Sequence, residues 1–374
     1  MVPVATALIE AGADGVCVAT LDEALVLRRA GIDRRITVLF PIPPATGPEA
    51  ASAGVDVAVG DGEHLHELFA ALAAARHPDG RAPRLAVQLE IETGLGRGGV
   101  APAEVVAAAG AIVDSGDAVL GGVWTHFQAT ENPELTAAQV GRFDAALSAL
   151  AEAGIAVPRR HVAASGGILV EGVPRYDVVR PGLMTYGIVP DELTAAMLPQ
   201  FAARLQPVLS LRARPIRVAD LAEHHGVSYG PTFVTRRPSR IATLPLGYGD
   251  GWPRSVSNRA EALVRGVRVP LVGNVAMDAV MADVTDVPGD PVGLADELVL
   301  IGSQGDDRIT VPELAQARTT NSWEVVTTMS RRLPRVYHAA AGPVGVRLLG
   351  DAEDGWRTSS SGTATSAISR STRS

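Results

Sequence analysis

The sequence predicts an α/β plus β protein, a parallel-sheet half followed by an antiparallel half, on three observations. From Pro3 to about Pro190, short apolar strands alternate with segments of helical period. These strands are continuous apolar runs with no in–out alternation, the mark of a parallel sheet covered on both faces. After about Gln200, short Val-, Leu- and Ile-rich runs are separated by Gly- and Asn-bearing turns, an antiparallel pattern.

Element by element, Ala5–Gly12 reads as a helix closed by a glycine, Gly15–Ala19 as a strand, and Leu21–Ala30 as a helix closed by Gly31. Ile36–Phe40 and Val55–Val59 read as strands, Gly62–Arg76 as helix and Leu85–Ile91 as strand. Ala103–Ser115 is helical in pattern, Ala118–His126 extended, and Thr136–Ala153 a long Ala-rich helix. Arg160–Ala164 and Asp177–Arg180 are the last two strands, which makes seven. A closed (β/α)8 barrel needs eight, so either two strands are merged here or the first is missing. An open doubly wound sheet is the alternative, although no G-x-G-x-x-G follows the first strand. In the second half Val208–Val218, Ser239–Leu246, Ala262–Val272, Ala276–Val284 and Glu297–Ile301 read as strands, with short helices at Val311–Ala317 and Glu324–Arg331. The expected organisation is a barrel over 1–200, a β domain over 201–345 and a Ser/Thr-rich disordered tail over 346–374.

Composition removes several functions. All 33 basic residues among 374 are arginine; there is no lysine, where on the order of twenty are usual for this length. No side-chain amine can therefore form a Schiff base with an aldehyde cofactor, and a P-loop lysine is excluded. Net charge is −8 with no basic block, which argues against nucleic acid. No apolar stretch reaches membrane-spanning length and no signal sequence opens the chain, so the cytoplasm is expected. Cys17, alone in Val16-Cys17-Val18, reads as a small buried hydrophobe.

Four constellations lie at strand ends, where a barrel gathers its chemistry. Glu92-Thr93-Gly94-Leu95-Gly96-Arg97 places a cation to face a substrate or an anion. Trp124-Thr125-His126-Phe127 offers an imidazole, although His126 taken alone fits a core position as well. Ala164-Ser165-Gly166-Gly167 reads as a small-residue turn able to offer N–H groups and a hydroxyl to a phosphate. Arg180-Pro181-Gly182-Leu183 ends the last strand with a cation. In the β half, Tyr229 and Tyr248 sit in Gly-flanked turns that present side chains. A tyrosine base needs help, because its unperturbed pKa is about 10. No Cys/His cluster has metal-ligand spacing. Together these residues suggest a phosphate-bearing cofactor in a barrel mouth.

With these motifs in order, the sequence resembles the alanine racemases, fold-type III pyridoxal-phosphate enzymes, from residue 1 to about Tyr337. Glu92–Arg97, Thr125-His126-Phe127, Ala164-Ser165, Arg180-Pro181-Gly182 with Tyr186-Gly187, Ser228-Tyr229-Gly230, Gly247–Gly251 with Pro253-Arg254, Met277-Asp278 and Arg332–Tyr337 all look like family segments. The resemblance implies a (β/α)8 barrel and a C-terminal β domain. It also implies pyridoxal 5'-phosphate as cofactor, interconversion of L- and D-alanine for peptidoglycan precursors, and a homodimer with Tyr and Met reaching across the interface. It would make Tyr229 the base on the L-alanine side, Arg180 the partner of the pyridine nitrogen, and His126 the residue orienting Tyr229. Arg97, Met277, Asp278 and Tyr248 would contact or admit the substrate. Ser165, Gly182 and Leu183 would hold the phosphate, with Trp323 where the family has a phosphate-contacting Tyr. The family's cofactor lysine lies at the end of the first barrel strand, and Met1-Val2-Pro3-Val4-Ala5 resembles the residues just after it. The expectation is therefore a barrel without its first strand and lysine. The alternatives are a lysine-free relative that is inactive or only binds the cofactor, or a racemase of another small amino acid such as serine.

Overall fold

The computed structural model describes residues 1–76, 84–340 and 342–351, and the backbone of Arg357–Thr358. It divides into two compact units. One is built on residues 1–182 with Glu192–Ala203, the other on Leu183–Asp191 and Arg204–Asp351. Most of the expected tail lies outside the described residues.

The first unit alternates α1 (Val2–Glu10), β1 (Gly15–Val18), α2 (Leu21–Arg29), β2 (Arg35–Val38), α3 (Gly47–Ser52), β3 (Asp56–Val59) and α4 (Gly62–Ala74). It continues with β4 (Leu85–Glu90), α5 (Val105–Asp114), β5 (Ala118–Trp124), α6 (Pro133–Glu152), β6 (Arg160–Ala164), α7 (Ser165–Leu169) and β7 (Val178–Arg180). The helices start where side chains satisfy their free N–H groups. Thr20 and Glu23 form a reciprocal capping box on α2, Asp61 caps α4, and Asn132 followed by Pro133 opens α6. The seven strands form one parallel, nearly closed barrel sheet in the order β1 to β7. Among the described residues β1 and β7 each pair with one neighbour only.

β5 bulges at Gly121: Val87 faces Leu120 whereas Gln88 faces Gly122. A Cβ on Gly121 would come 2.8 Å from Gln88 Nε2, and one on Gly122 would strike Gln88 Oε1. The paired glycines thus make room for a polar amide inside the sheet, a frequent use of a bulge beside a site.

Two expectations are corrected here. Cys17 is exposed, because β1 lacks a neighbour on its outer side. Its surroundings still desolvate the thiol and raise its pKa, opposed by Arg180 and reinforced by Asp56. The stretch from Ser165 is no open turn; it winds directly into α7.

The second unit contains β8 (Leu211–Ala213), β9 (Arg217–Leu221), β10 (Gly226–Val227), β11 (Phe233–Val234), β12 (Ser239–Leu244), β13 (Glu261–Val264), β14 (Val267–Val272), β15 (Val280–Asp283), β16 (Leu298–Gln304) and β17 (Asp307–Ile309). α8 (Val311–Arg318), α9 (Ser322–Thr327), β18 (Arg335–Ala339), β19 (Gly342–Arg347) and β20 (Arg357–Thr358) complete it. An antiparallel sheet runs β17-β16-β13-β14-β15-β12-β9, with β8 also on β16. Its core gathers Leu244, Trp252, Val264, Leu298 and Val325. The run Ala262–Val272, expected as one strand, is a hairpin. Arg265 (φ 52°) and Gly266 (φ 77°) turn the chain between β13 and β14, the double positive φ of a twist-matched two-residue turn. α9 ends before the expected Arg331, because the Ser330 N–H bonds to Asp250 O (3.0 Å) and draws the chain away.

Candidate active site

In the first unit the site is built on Arg180, at the C-terminal end of β7. Its side chain is buried, and both of its terminal nitrogens are hydrogen-bonded. Nη1 donates to His161 Nδ1 (2.6 Å). Nη2 points at Thr125 O (3.0 Å), Val162 O (3.3 Å) and His126 Nδ1 (3.4 Å). The guanidinium also lies 4.9 Å from the Trp124 ring centroid, where a cation is attracted to the π face. Among the described residues Nε donates to nothing, so Arg180 presents one N–H in a fixed direction. Burial lowers its pKa to about 10, with Cys17 and Glu90 opposing and Arg97 adding to the effect; it stays charged at neutral pH.

Both histidines around it are neutral. Burial, then the charges of Arg180 and Arg97, bring His126 down to about 4. Burial, then Arg180 and Arg159, bring His161 down to about 3. Because Nδ1 of each accepts from Arg180, hydrogen-bond logic puts the remaining proton on Nε2. His161 Nε2 donates to Gln88 Oε1 (3.1 Å), and Gln88 Nε2 donates to Asp56 Oδ2 (2.7 Å). Arg35 Nη1 closes the chain on Asp56 Oδ2 (2.5 Å). Trp124 stacks on His161, 5.9 Å between centroids at 7°. Each polar group in this chain across the barrel interior has a partner, which is the condition for a buried network to rigidify.

Around Arg180 lie the other predicted residues of this unit. The Gly182 N–H donates to Ser165 Oγ (3.0 Å), tying the residue after the β7 end to the start of α7. Arg97 is half exposed, with its guanidinium over Phe40 (5.4 Å) and 4.0 Å from Glu90 Oε1. Desolvation raises the pKa of Glu90, opposed by Arg97 and Arg180. Glu92, in the Arg97 segment, is spent on the loop itself, accepting from the N–H groups of Gly94 and Gly96. Gln139, buried on α6, donates to Thr93 Oγ1 and His126 O (3.1 Å each) and accepts from the Gln128 N–H. It fixes both loops.

The second unit holds its predicted residues differently. Tyr229 is 75% exposed. Its loop is locked by backbone: Ser228 adopts φ 68° and donates from Oγ to Asn274 O (2.6 Å). Asn274 Nδ2 donates to Tyr229 O (2.8 Å) and Gly230 O (3.0 Å). Tyr248, also exposed, starts a tight turn in which its N–H bonds Ala276 O and the Gly249 N–H bonds Met277 O. Met277 keeps its own N–H without an acceptor among the described residues. Arg332 clamps the turn through Asp250 (Nε, 2.7 Å) and Asp278 (Nη2, 2.5 Å), so Asp278 serves as a partner of Arg332. Leu183 is buried in this unit's core. Trp323 stands partly exposed on α9, whose neighbour Ser322 is bound through N and Oγ to Asp191.

Sequence reasoning missed His161, Gln88 and Asp56. A signal existed: each is a polar residue inside a largely apolar strand, where burial without a partner is costly. Among the described residues no cluster of His, Cys, Asp and Glu could hold a metal ion, and no helix is long and apolar enough to cross a membrane.

Comparison with known proteins shows similarity to the alanine racemases over most of the chain. The family model for the alanine racemase N-terminal domain matches residues 1–190, and that for the alanine racemase C-terminal domain matches 208–337. An alanine racemase of Symbiobacterium thermophilum is 42% identical over 338 residues, 90% of this chain and 86% of the relative. One of Thermobifida fusca is 36% identical over 345 residues, covering 91% and 88%. Among solved structures, alanine racemase from Bacillus anthracis with bound L-Ala-P superposes with a TM-score of 0.85 at 34% identity, covering 93% of this chain and 87% of that one. The enzyme from the D-cycloserine producer Streptomyces lavendulae gives 0.81 at 35%, covering 91% and 87%.

Proposed function

Since this chain belongs to the alanine racemase family, we propose that it serves the interconversion of L- and D-alanine with pyridoxal 5'-phosphate, in the cytoplasm, for peptidoglycan precursors. The observation that carries this reading is Arg180, with both terminal nitrogens tied down and Nε left to donate. Such a donor fits a ring nitrogen, and Ser165 with the Gly182 backbone fits a phosphate. The cofactor's aldehyde finds no side-chain amine, because the sequence has no lysine. These residues therefore fit the group without a covalent tie.

When bound, the cofactor supplies an electron sink that acidifies the Cα–H of an amino acid joined to it. Arg180 donates to the ring nitrogen and leaves it unprotonated. His126, neutral and carrying its proton on Nε2, orients the Tyr229 oxygen. Tyr229 takes or returns the Cα proton on the L-alanine side. Arg97 and the free N–H of Met277 hold the substrate carboxylate, Tyr248 narrows the approach, and Leu183 and Trp323 border the phosphate. Tyr229 and Met277 act across a homodimer interface, each protomer completing the other's site.

The lysine-free sequence favours a second reading, a relative that holds the cofactor without turnover. One experiment separates them: full-length chain is given pyridoxal 5'-phosphate and L-alanine, and D-alanine is measured. D-Alanine that disappears in Tyr229→Phe supports the racemase. Retained cofactor binding without D-alanine supports the cofactor-holding relative. A cofactor adduct on an internal side chain, fixed by borohydride, contradicts both.

A further inference from the structure

One arginine of the second unit is not used by the function above. Arg318 is the last residue of α8, with only 7% of its surface exposed. A charge so enclosed normally has well-placed acceptors. Arg318 has one good one: Nη2 donates to Thr328 Oγ1 (3.1 Å). Glu324 Oε1 is 3.9 Å away, on a side chain that is more than half exposed. Nη1 is buried and has no hydrogen-bond partner. Desolvation lowers the pKa of this guanidinium, with Glu324 opposing.

Arg318 lines a depression of about 510 Å³ together with Arg254, Thr328, Ser330, Glu324 and Tyr248. Arg254 is exposed and its guanidinium makes no ion pair or hydrogen bond among the described residues. Two cations, one without a partner and one short of an acceptor, thus face a cavity lined by a single carboxylate and the hydroxyls of Thr328, Ser330 and Tyr248. A planar guanidinium takes carboxylate or phosphate oxygens in pairs.

We infer that this depression is a binding site for a small oxyanion, carboxylate or phosphate, received by Arg318 and Arg254. The bound oxyanion gives Arg318 the acceptor that the fold withholds. Thr328 keeps the guanidinium plane in place. Arg254 adds the second charge from the rim. The site lies wholly within the second unit and does not depend on the racemase reading, so its test needs neither cofactor nor turnover.

The full chain, labelled with ¹⁵N-arginine, is titrated with sodium acetate and separately with inorganic phosphate, at constant ionic strength set by chloride. The Arg318 Nε–H resonance, assigned by its loss in Arg318→Met, is expected to shift saturably with at least one of the two. Calorimetry of the same titrations should show one class of site weakened about 10- to 100-fold in Arg318→Met, the scale of a charge-assisted hydrogen bond, and less in Arg254→Gln. A shift with acetate alone assigns a carboxylate ligand, and with phosphate alone a phosphate ligand. If Arg318→Met does not fold, Arg318→Lys supplies the assignment. An Arg318 resonance unmoved by both anions, or binding unchanged in the folded Arg318 variant, overturns the proposal.

Discussion

The two units hold their candidate site residues by opposite means. In the barrel, Arg180 is immobilised by other side chains: His161 fixes Nη1, Gln88 fixes His161, and Asp56 fixes Gln88. In the β unit, Tyr229 is positioned by its backbone, through Ser228 and Asn274, while its ring stands in solvent. The difference matches the chemistry proposed for each. A buried cation needs well-placed acceptors, or its desolvation is not compensated. A tyrosine that must reach outward needs a rigid stem and a clear path.

This contrast predicts a ranking of effects. The largest belongs to Arg180→Met, which leaves His161 Nδ1 and the Thr125 carbonyl without their donor. It should lower barrel stability by about 3 kcal/mol and abolish tight binding of pyridoxal 5'-phosphate, read by denaturant titration and cofactor absorbance. Unchanged cofactor affinity would remove Arg180 from the site.

Acid comes next. His126 and His161 have pKa values depressed to about 4 and about 3 from 6.5. The unfolded chain therefore takes up protons first as pH falls. Their contribution is complete above about pH 6.5 and is lost progressively as pH drops toward 4 and below. Hydrogen exchange should show the barrel strands losing protection over that window before β12–β15 of the second unit do. Parallel loss in both units would show that the histidines do not set the difference.

Gln88→Leu should be milder, about 1–3 kcal/mol for the unpaired Asp56 and His161. Because Gln88 acts through His161, the decisive readout is the ¹⁵N spectrum of His161, whose Nε2–H resonance should move as it loses its acceptor while Arg180 keeps the proton on Nε2. An Nε2–H resonance that stays unmoved would detach Gln88 from the relay. The smallest stability change belongs to Tyr229→Phe, within about 0.5 kcal/mol for so exposed a ring, measured as a thermal midpoint. A larger loss would mean that the ring is held by packing.

Much of this was legible in the chain, unevenly. Every barrel strand was visible as a mostly apolar run, because a strand covered on both faces is rich in apolar residues. Arg97, His126, Ser165 and Arg180 were visible as polar residues at strand ends, and Tyr229 and Tyr248 through their flanking glycines. The hairpin at Arg265-Gly266 was not, because Arg-Gly is a weaker turn signal than Asn-Gly. α7 was hidden because Ser165-Gly166-Gly167 has poor helix propensity, overridden by packing. Cys17 was misread because apolar neighbours along a strand say nothing about whether a further strand lies beside it.

The amino-acid sequence by itself determined the order of elements, the change from parallel to antiparallel sheet, the family motifs and the absence of any side-chain amine. These are properties of composition and local period, and a linear chain displays them directly. Only the tertiary structure decided which polar residues share a hydrogen-bond chain. Asp56, Gln88, His161 and Arg180 come from four different strands. It also left Arg318 enclosed beside a cavity with one nitrogen unpaired. Burial and hydrogen-bond partnership depend on neighbours distant in sequence, and the pairing and curling of the sheet is what makes those residues neighbours.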